Sequence, residues 1–265
     1  MKRKLLIINI ILTILVLASV WFYFYKSYTV PVLMYHSINK GSAGSRLIVD
    51  AATFKKQMKF LKDHNFNCIS INEYIDNIKN KKKQKRKSVV ITFDDGFEDN
   101  YLTAFPILKE FEIPVTIFIV TDWVGDENML DWSQIKELEK SDLIDIGSHA
   151  VSHDMLTRMP KAEMLMEIKQ SKQILEDALN KSIELFCYPT GAHSEFIKKM
   201  TKLSGYKAAC ATSVDKRTSL DDLFAIRRIR ISQSADNLFV FGAQVSGYYN
   251  FFKDRRVKKG KWKKY

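Results

Sequence analysis

The sequence predicts an α/β fold in which about eight parallel strands close into a barrel covered by helices, preceded by one N-terminal transmembrane helix. Three observations predict this architecture. Strand-like runs of almost continuous apolar character alternate with longer amphipathic stretches, as in a parallel sheet that is covered on both faces. About eight such units fit within the 265 residues, which favours a barrel over an open sheet. One long apolar segment without charge precedes all of them.

That apolar segment, residues 5–25, is LLIINIILTILVLASVWFYFY, which is long enough as a helix to cross a hydrocarbon core of roughly 30 Å. Lys2, Arg3 and Lys4 precede it, so the positive-inside rule sends the rest of the chain outward. A cleaved signal peptide is the alternative, although its apolar region is usually shorter and ends at a small-residue cleavage site. We expect a single-pass protein of the cell membrane with an extracellular catalytic domain, or a secreted protein if the segment is cleaved.

Strands and helices can be assigned in order along the rest of the chain. The expected domains are a basic tip and anchor (1–27), one catalytic domain (28–250) and a basic tail (251–265). In one helix, WSQIKELE, Ser133 is the expected N-cap. The predicted strands are 30–36, 66–71, 88–93, 115–120, 143–149, 183–188, 206–211 and 224–231. The predicted helices are 53–64, 72–79, 99–110, 133–140, 161–179, 195–203 and 236–245.

The net charge of +12 is peripheral to the predicted barrel. Residues 79–87 (KNKKKQKRK) and 253–265 (KDRRVKKGKWKKY) carry most of the excess of lysine and arginine. These runs are expected either to be solvated or to contact anionic envelope polymers or lipid headgroups. A chain that is exported is not expected to bind nucleic acid. Cys68, Cys187 and Cys210 lie in apolar contexts without C-x-x-C spacing, which favours buried free thiols over disulfides.

Polar clusters lie at or just past the ends of four of the predicted strands, where a barrel of this type places its chemistry. They are His36, Asp94 with Asp95, the pair His149 and His153, and the turn at Tyr188-Pro189. The two histidines of the pair are four residues apart, which on one side of a helical turn would let both reach one metal ion. Alone, such a pair more often represents two unrelated surface histidines than a metal site.

The aspartate pair acquires a chemical function if one of its carboxylates lies beside the two histidines. Two histidines and one carboxylate leave open positions for water and substrate on a hydrolytic metal ion. The neighbouring carboxylate could then act as a general base, and the cation would offset the repulsion between the two. Standing alone, DDG is also typical of a turn with helix-capping carboxylates.

Together these motifs resemble those of the polysaccharide deacetylases, the NodB-homology or carbohydrate esterase 4 family. The resemblance rests on TFDDG (92–96), the histidine pair and FCYPTG (186–191), and extends over about residues 30–245. The stretches PVLMYHSI (31–38) and WSQIKEL (132–138) resemble a narrower branch, the poly-β-1,6-N-acetyl-D-glucosamine N-deacetylases. The resemblance implies a distorted (β/α) barrel that binds a divalent metal ion, Zn, Co, Ni or Fe.

The resemblance also implies roles for particular residues. Asp94 would be the catalytic base, and the metal ligands would be Asp95, His149 and His153. The N–H of Tyr188 would stabilise the oxyanion in a turn completed by Pro189 and Gly191. Trp123 and Trp132 flank a loop that could stack on sugar rings, although core packing is at least as plausible for Trp132.

Two departures from the family pattern bear on these roles. The third motif begins with Phe186 and lacks the arginine that most of the family directs at the base. The chain also has no histidine after His193 to serve as the late general acid. In the narrower branch that histidine is found near the N-terminus, so LMYH supplies His36 as the expected acid; the alternative is a structural histidine at the barrel mouth.

The implied function is metal-dependent N-deacetylation of an extracellular N-acetylglucosamine polymer, most plausibly poly-β-1,6-N-acetylglucosamine, with release of acetate. Two alternatives remain open at this point. The same chemistry could act on peptidoglycan, chitin-like or O-acetylated glycans. A membrane-tethered protein that binds polysaccharide without catalysis is the other alternative.

Overall fold

A computed structural model of the chain describes residues 2–39, 47–212 and 222–258. Its centre is a sheet of parallel strands that nearly closes into a barrel, with helices packed outside it. The strand bounds are β1 Val32–Tyr35, β4 Asn67–Cys68, β5 Ser88–Phe93, β6 Val115–Ile119, β7 Ile144–Ser148, β8 Leu185–Cys187, β9 Ala208–Ala211, β10 Ile226–Arg227 and β11 Ile229–Arg230. These strands lie in the order β10-β9-β8-β7-β6-β5-β1-β11, and β4 pairs with the start of β5. Two short strands, β2 Ser37–Ile38 and β3 Ile48–Val49, pair separately.

The barrel closes where β10 and β11 meet, because these two short strands are separated by a single residue, Arg228. Strand β10 pairs with β9, and β11 pairs with β1. The backbone at Arg228 turns from one neighbour to the other, and its N–H donates to the Ala211 carbonyl at 3.3 Å. The prediction of one strand over 224–231 is therefore correct in place, but that strand is split between the two edges of the sheet.

Helices follow most of the strands and agree closely with the predicted ones. Their bounds are α2 Ala51–Asp63, α3 Ile71–Lys79, α4 Phe105–Glu110, α5 Trp132–Glu139, α6 Lys161–Leu179, α7 Glu195–Leu203, α8 Leu238–Val245 and α9 Tyr249–Lys258. A π-helix, Asn100–Ala104, precedes α4 within the stretch predicted as one helix. The N-cap of α5 is Asp131 rather than Ser133, because Gln134 completes a capping box with Asp131.

Apolar side chains from the strands and the inner faces of the helices form the core. All six residues of β5 are buried, as expected for a strand covered on both sides. Tyr35, Phe54 and Phe93 pack ring against ring with centroids 5.3–5.8 Å apart. Cys187 and Cys210 are buried free thiols as predicted, and Cys68 is a half-buried one. The polar clusters lie outside this apolar core, at the carboxyl end of the barrel.

The N-terminal segment forms helix α1, Lys2–Lys26. None of the helices in the part of the chain described here is long and apolar enough to cross a membrane. The predicted membrane anchor is therefore not confirmed. At the other end, the predicted basic tail begins inside α9, and residues 259–265 lie outside the described residues.

Candidate active site

The sequence-predicted site residues meet at the carboxyl end of the barrel. Asp94 and Asp95 follow β5, His149 follows β7 and His36 follows β1. The parallel pairing of Tyr35 with Phe93 brings the end of β1 beside the end of β5. All four of these polar side chains are buried. Burial of so many ionisable groups in one place requires compensating partners, and the partners differ across the site.

One side of the site, which we call the open half, consists of Asp95, His149 and His153. The Oδ1 atom of Asp95 lies 3.5 Å from Nε2 of each histidine. That oxygen is buried without a hydrogen-bond partner among the described residues. One carboxylate oxygen and two imidazole nitrogens directed at one point are a donor set that suits Zn²⁺ or a similar transition-metal ion. The residues present therefore fit the metal that the resemblance implies.

The loop that carries the two histidines is not the helical turn that their spacing suggested. Residues 149–154 are irregular, and Ala150 and His153 have left-handed backbones with φ of 67° and 68°. Asp95 is left-handed as well, with φ of 75°. Non-glycine residues rarely adopt this conformation, and it is concentrated where function requires it. The metal-directed geometry is thus built by a strained loop, and the prediction of a helical turn is wrong.

Three hydrogen bonds that involve backbone groups help to hold that loop in place. His149 Nδ1 lies 2.8 Å from the Cys187 carbonyl, which can only accept, so Nδ1 carries the proton and Nε2 faces Asp95 with its lone pair. Glu167 of α6 accepts the N–H groups of Val151 and Ser152 at 2.9 and 3.0 Å. Glu167 could not be predicted from the sequence, because nothing in its local pattern distinguishes it from other acidic residues of the helix.

The other side, which we call the ion-pair half, consists of Asp94 and Arg228. The guanidinium donates to both carboxylate oxygens of Asp94, with N–O distances of 2.6 Å. Asp94 and Arg228 are each only 3% exposed. Arg228 thus fills the place of the arginine that the third motif lacks, from the point where the barrel closes. The available signal was an arginine-rich strand, FAIRRIRI, in which one arginine had to face inward.

The two aspartates have opposite pKa shifts. Burial raises the pKa of each carboxyl, but Arg228 and the nearby histidines hold the pKa of Asp94 well below its usual range. Asp95 lacks a comparable cation, and burial together with repulsion from Asp94 raises its pKa to about 7. Burial also lowers the pKa of His149 to about 4, so this imidazole is neutral at neutral pH. A neutral imidazole is the form that binds a metal.

A second set of possible ligands, Asp94, His149 and Cys187, lies next to the open half. Both oxygens of Asp94 are already bound by Arg228, and Arg228 Nη2 also lies 2.9 Å from the Cys187 sulfur. Burial raises the pKa of the Cys187 thiol well above its usual value, so no thiolate is available. The set with Asp95 is the better fit.

His36, the expected general acid, is 8% exposed and faces the same mouth. Its Nδ1 is buried without a hydrogen-bond partner among the described residues. Burial lowers the pKa of His36 to about 4, although the Asp94 carboxylate opposes the shift. The imidazole is therefore neutral at neutral pH in the free protein.

The turn after β8 corrects one predicted role. The N–H of Tyr188 donates to the Cys210 carbonyl at 3.1 Å, so it is already used in the sheet. The tyrosine hydroxyl donates to the Phe224 carbonyl at 3.0 Å. Pro189 has no N–H, and the next one belongs to Thr190, which is exposed and left-handed with φ of 59°.

Gly191 completes this turn for a steric reason. Its φ is 74°, and an added Cβ would lie 2.4 Å from the Cβ of Thr212. A side chain at this position would therefore force the turn away from β9. Gly191 and the buried Pro189 thus shape the turn that presents Thr190.

The two tryptophans predicted to contact sugar have different surroundings. The ring of Trp123 lies 5.1 Å from the ring of His153, at the edge of the open half. Trp132 opens α5 and packs against the core. Trp123 is therefore placed to contact a ligand, whereas Trp132 has the core-packing role that was the alternative.

Comparisons with known proteins agree with this geometry. The family described as "Polysaccharide deacetylase" matches residues 81–209. The Bacillus subtilis (strain 168) protein named "Putative polysaccharide deacetylase YxkH" is 30% identical over 227 residues, covering 86% of this chain and 80% of that protein. The poly-beta-1,6-N-acetyl-D-glucosamine N-deacetylase of Staphylococcus aureus (strain MRSA252) is 29% identical over 239 residues, covering 80% of this chain and 81% of that protein.

A solved structure has the same fold. The Streptococcus pyogenes deacetylase PplD, in complex with acetate, superposes with a TM-score of 0.73 at 28% identity, covering 80% of this chain and 97% of that one. The family match over residues 81–209 includes the aspartate pair and the two histidines of this chain. On the sequence match and the fold together, the chain belongs to the polysaccharide deacetylase family, the carbohydrate esterase 4 hydrolases.

Proposed function

We propose that this deacetylase is a metal-dependent N-deacetylase of an extracellular N-acetylglucosamine polymer, with poly-β-1,6-N-acetylglucosamine as its substrate and acetate as a product. The observation that carries the proposal is the division of the aspartate pair. Asp95 is directed with His149 and His153 at one point, whereas Asp94 is bound by Arg228 and remains ionised beside it. The name of the Staphylococcus aureus relative supports the choice of polymer.

In this proposal Asp95, His149 and His153 hold the divalent cation. When bound, such a cation polarises the acetamide carbonyl and lowers the pKa of a coordinated water. His149 is already neutral, as a metal ligand must be, and Nε2 of His153 lies 3.5 Å from Oδ1 of Asp95. Asp95 must lose its proton as the cation binds, because its pKa is about 7 in the metal-free protein.

Asp94 removes a proton from the water that attacks the acetyl carbon. Its strongly lowered pKa keeps it ionised over the working range of pH but also makes it a weak base. Arg228 therefore contributes orientation, since two hydrogen bonds fix both oxygens of the carboxylate. The N–H of Thr190, an exposed residue of the same turn, takes the oxyanion role that Tyr188 cannot fill.

His36 passes a proton to the departing glucosamine nitrogen. Because its pKa is about 4 in the free protein, it must be protonated during the reaction. The proton that Asp94 takes from water is available in the same site for this purpose. The C–N bond breaks as the nitrogen gains the proton, and the products are a free amine and acetate. Trp123, beside His153, would contact a sugar ring.

A panel of acetylated glycans tests the proposal. Purified protein is incubated with oligomers of β-1,6-N-acetylglucosamine, chitin oligomers, peptidoglycan and acetylated xylan, and acetate release is measured with and without a chelator. We expect release from the β-1,6 oligomers that disappears with the chelator and returns with Zn²⁺ or Co²⁺. Full activity after removal of the metal would refute the mechanism, and preference for another glycan would reassign the substrate.

We also propose that the catalytic domain acts outside the cytoplasm, since the proposed polymer lies outside the cell. Cell fractionation with protease accessibility of the intact cells checks this location. The proposal predicts digestion of the catalytic domain in whole cells, and protection until the cells are lysed would contradict it.

A further inference from the structure

The segment that carries the aspartate pair also reaches the end of β1. After Asp94, the chain runs through a short turn to Asp99 and into the π-helix at Asn100. Asn100 is fully buried, and its side-chain amide donates to the backbone carbonyl of His36 at 2.8 Å. The same amide nitrogen lies 3.0 Å from Oδ1 of Asp99. A π-helix is an unusual element that often occurs at functional sites.

Asp99 holds the two residues that follow His36. It accepts the hydroxyl of Ser37 at 2.5 Å and the N–H of Ile38 at 3.0 Å. Ser37 is buried, so this acceptance takes place largely away from water. Together with Asn100, Asp99 thus fixes three consecutive residues, 36–38, at the point where β1 has ended.

The imidazole of His36 depends on this backbone support. Its Nδ1 has no hydrogen-bond partner in the described part of the chain. Tyr35 is the last residue of β1 to pair with β5, and its carbonyl accepts the Asp94 N–H at 3.0 Å. Beyond that pair, β2 is held by its pairing with β3, and Asp99 and Asn100 add the side-chain hydrogen bonds that hold residues 36–38 beside the segment of Asp94.

We propose that Asp99 and Asn100 are positioning residues that hold the general acid, His36, in register with the base, Asp94. The inference rests on the proposed function, because it assumes the roles of those two residues. One continuous segment, residues 94–100, then sets the place of both groups that move protons. A displacement of about 1 Å in a catalytic group can lower the rate about 100-fold. The two side chains act through His36 and do not touch the substrate.

Two substrates of different leaving group separate positioning of the acid from general support of the fold. Amide cleavage requires protonation of the departing nitrogen, whereas 4-nitrophenyl acetate releases a stable phenolate that needs no acid. The variants are Asn100→Ala, Asp99→Ala, the conservative Asp99→Asn, His36→Ala and the double variant His36→Ala/Asn100→Ala. Asn72→Ala serves as the matched control, because Asn72 is a partly buried amide that bonds Asp145 instead.

We expect Asn100→Ala to lower kcat on the oligomer about 100-fold, as His36→Ala does, with little change in KM or in hydrolysis of the aryl ester. The double variant should be no slower on the oligomer than His36→Ala alone, and Asp99→Asn should lose less than Asp99→Ala. The control should keep the wild-type ratio of the two activities. Thermal melts identify any variant that fails to fold, in which case Asp99→Asn carries the test.

An equal loss on both substrates, or additive losses in the double variant, would overturn this inference and leave the proposed function standing. A wild-type protein that hydrolyses the aryl ester but releases no acetate from any N-acetylated glycan would instead overturn the proposed function, and the positioning role with it. The ratio of amide to ester activity therefore distinguishes the two failures.

Discussion

Asp94 and Asp95 are neighbours in the chain and both are buried, yet the ion-pair half and the open half treat them differently. In the ion-pair half, Arg228 binds both oxygens of Asp94 and lowers its pKa. In the open half, no side-chain cation binds Asp95 among the described residues, and its pKa rises to about 7. The difference shows which negative charge the protein itself compensates and which one is left for an added cation.

The largest expected effect separates catalysis from metal binding. Asp94→Asn keeps the shape of the side chain but removes the base, so turnover on N-acetylglucosamine oligomers should fall about 1,000-fold. Acetate release measures the loss. Asp154→Asn, at an exposed position next to His153 in the chain, is the control and should retain wild-type activity. Near-normal turnover of Asp94→Asn would remove Asp94 from the role of base.

The ion pair itself can be broken from the other side. Arg228→Met leaves a buried carboxylate without its cation and should lower the free energy of unfolding by about 3–5 kcal/mol. Denaturant-induced unfolding measures this change. Arg230→Met, at an exposed position two residues further along in β11, should change it by about 0.5 kcal/mol or less. Adding Asp94→Asn to Arg228→Met should restore part of the lost stability, and failure to do so would refute the assigned pairing.

The support of the open half can be weakened without touching a ligand. Glu167→Ala frees the Val151 and Ser152 N–H groups, so the strained histidine loop should relax and metal affinity should fall about 10-fold to 100-fold. Calorimetric titration with Zn²⁺ measures the affinity. Glu163→Ala, at an exposed position of the same helix, should leave it unchanged. Equal affinities for both variants would show that Glu167 does not organise the site.

The smallest expected effect is the pH dependence of metal binding. Between pH 5.5 and 6.5 Asp95 is protonated in the metal-free protein, so each bound cation displaces about one proton. The dissociation constant for Zn²⁺ should therefore fall about tenfold per pH unit in this range and level off above pH 7. His149 is already neutral there and contributes no such change. A dissociation constant independent of pH would contradict the assigned state of Asp95.

The raised pKa of Asp95 also makes the stability of the metal-free protein depend on pH. A carboxyl whose pKa rises from 3.8 to about 7 on folding stabilises the protein at low pH and ceases to do so as the pH rises through 7. The lowered pKa values of His36 and His149 act in the opposite direction between pH 4 and 6.5. The free energy of unfolding of Asp95→Asn relative to wild type should therefore increase with pH over this interval, whatever the pH dependence of the wild-type protein itself.

Local pattern was sufficient to predict the strands and the side chains at their ends. The apolar β-branched run before Asp94 predicted β5 with its observed bounds, because such runs suit a strand buried on both faces. The assembly of Asp94, Asp95, His149 and His36 at one end followed from the parallel sheet alone. The prediction of eight strand positions survived, even where one strand is divided by Arg228.

Features that depend on closure of the barrel could not be predicted in this way. Arg228 is 134 residues from Asp94, and which of the arginines in FAIRRIRI faces inward depends on where the strand changes neighbour. The left-handed backbones of Asp95, Ala150 and His153 are tertiary in origin, since most residues of these types do not adopt that conformation. The spacing of His149 and His153 therefore suggested a helical turn that does not form.

Our main conclusion is that the two adjacent aspartates have different roles, with Asp95 as a metal ligand and Asp94 as the base that takes a proton from water. Metal content and Zn²⁺ affinity of purified Asp94→Asn and Asp95→Asn, measured side by side with wild type, test it most directly. We expect about one metal ion per chain in Asp94→Asn and an affinity at least about 100-fold weaker in Asp95→Asn. Loss of the metal from Asp94→Asn with retention in Asp95→Asn would contradict it.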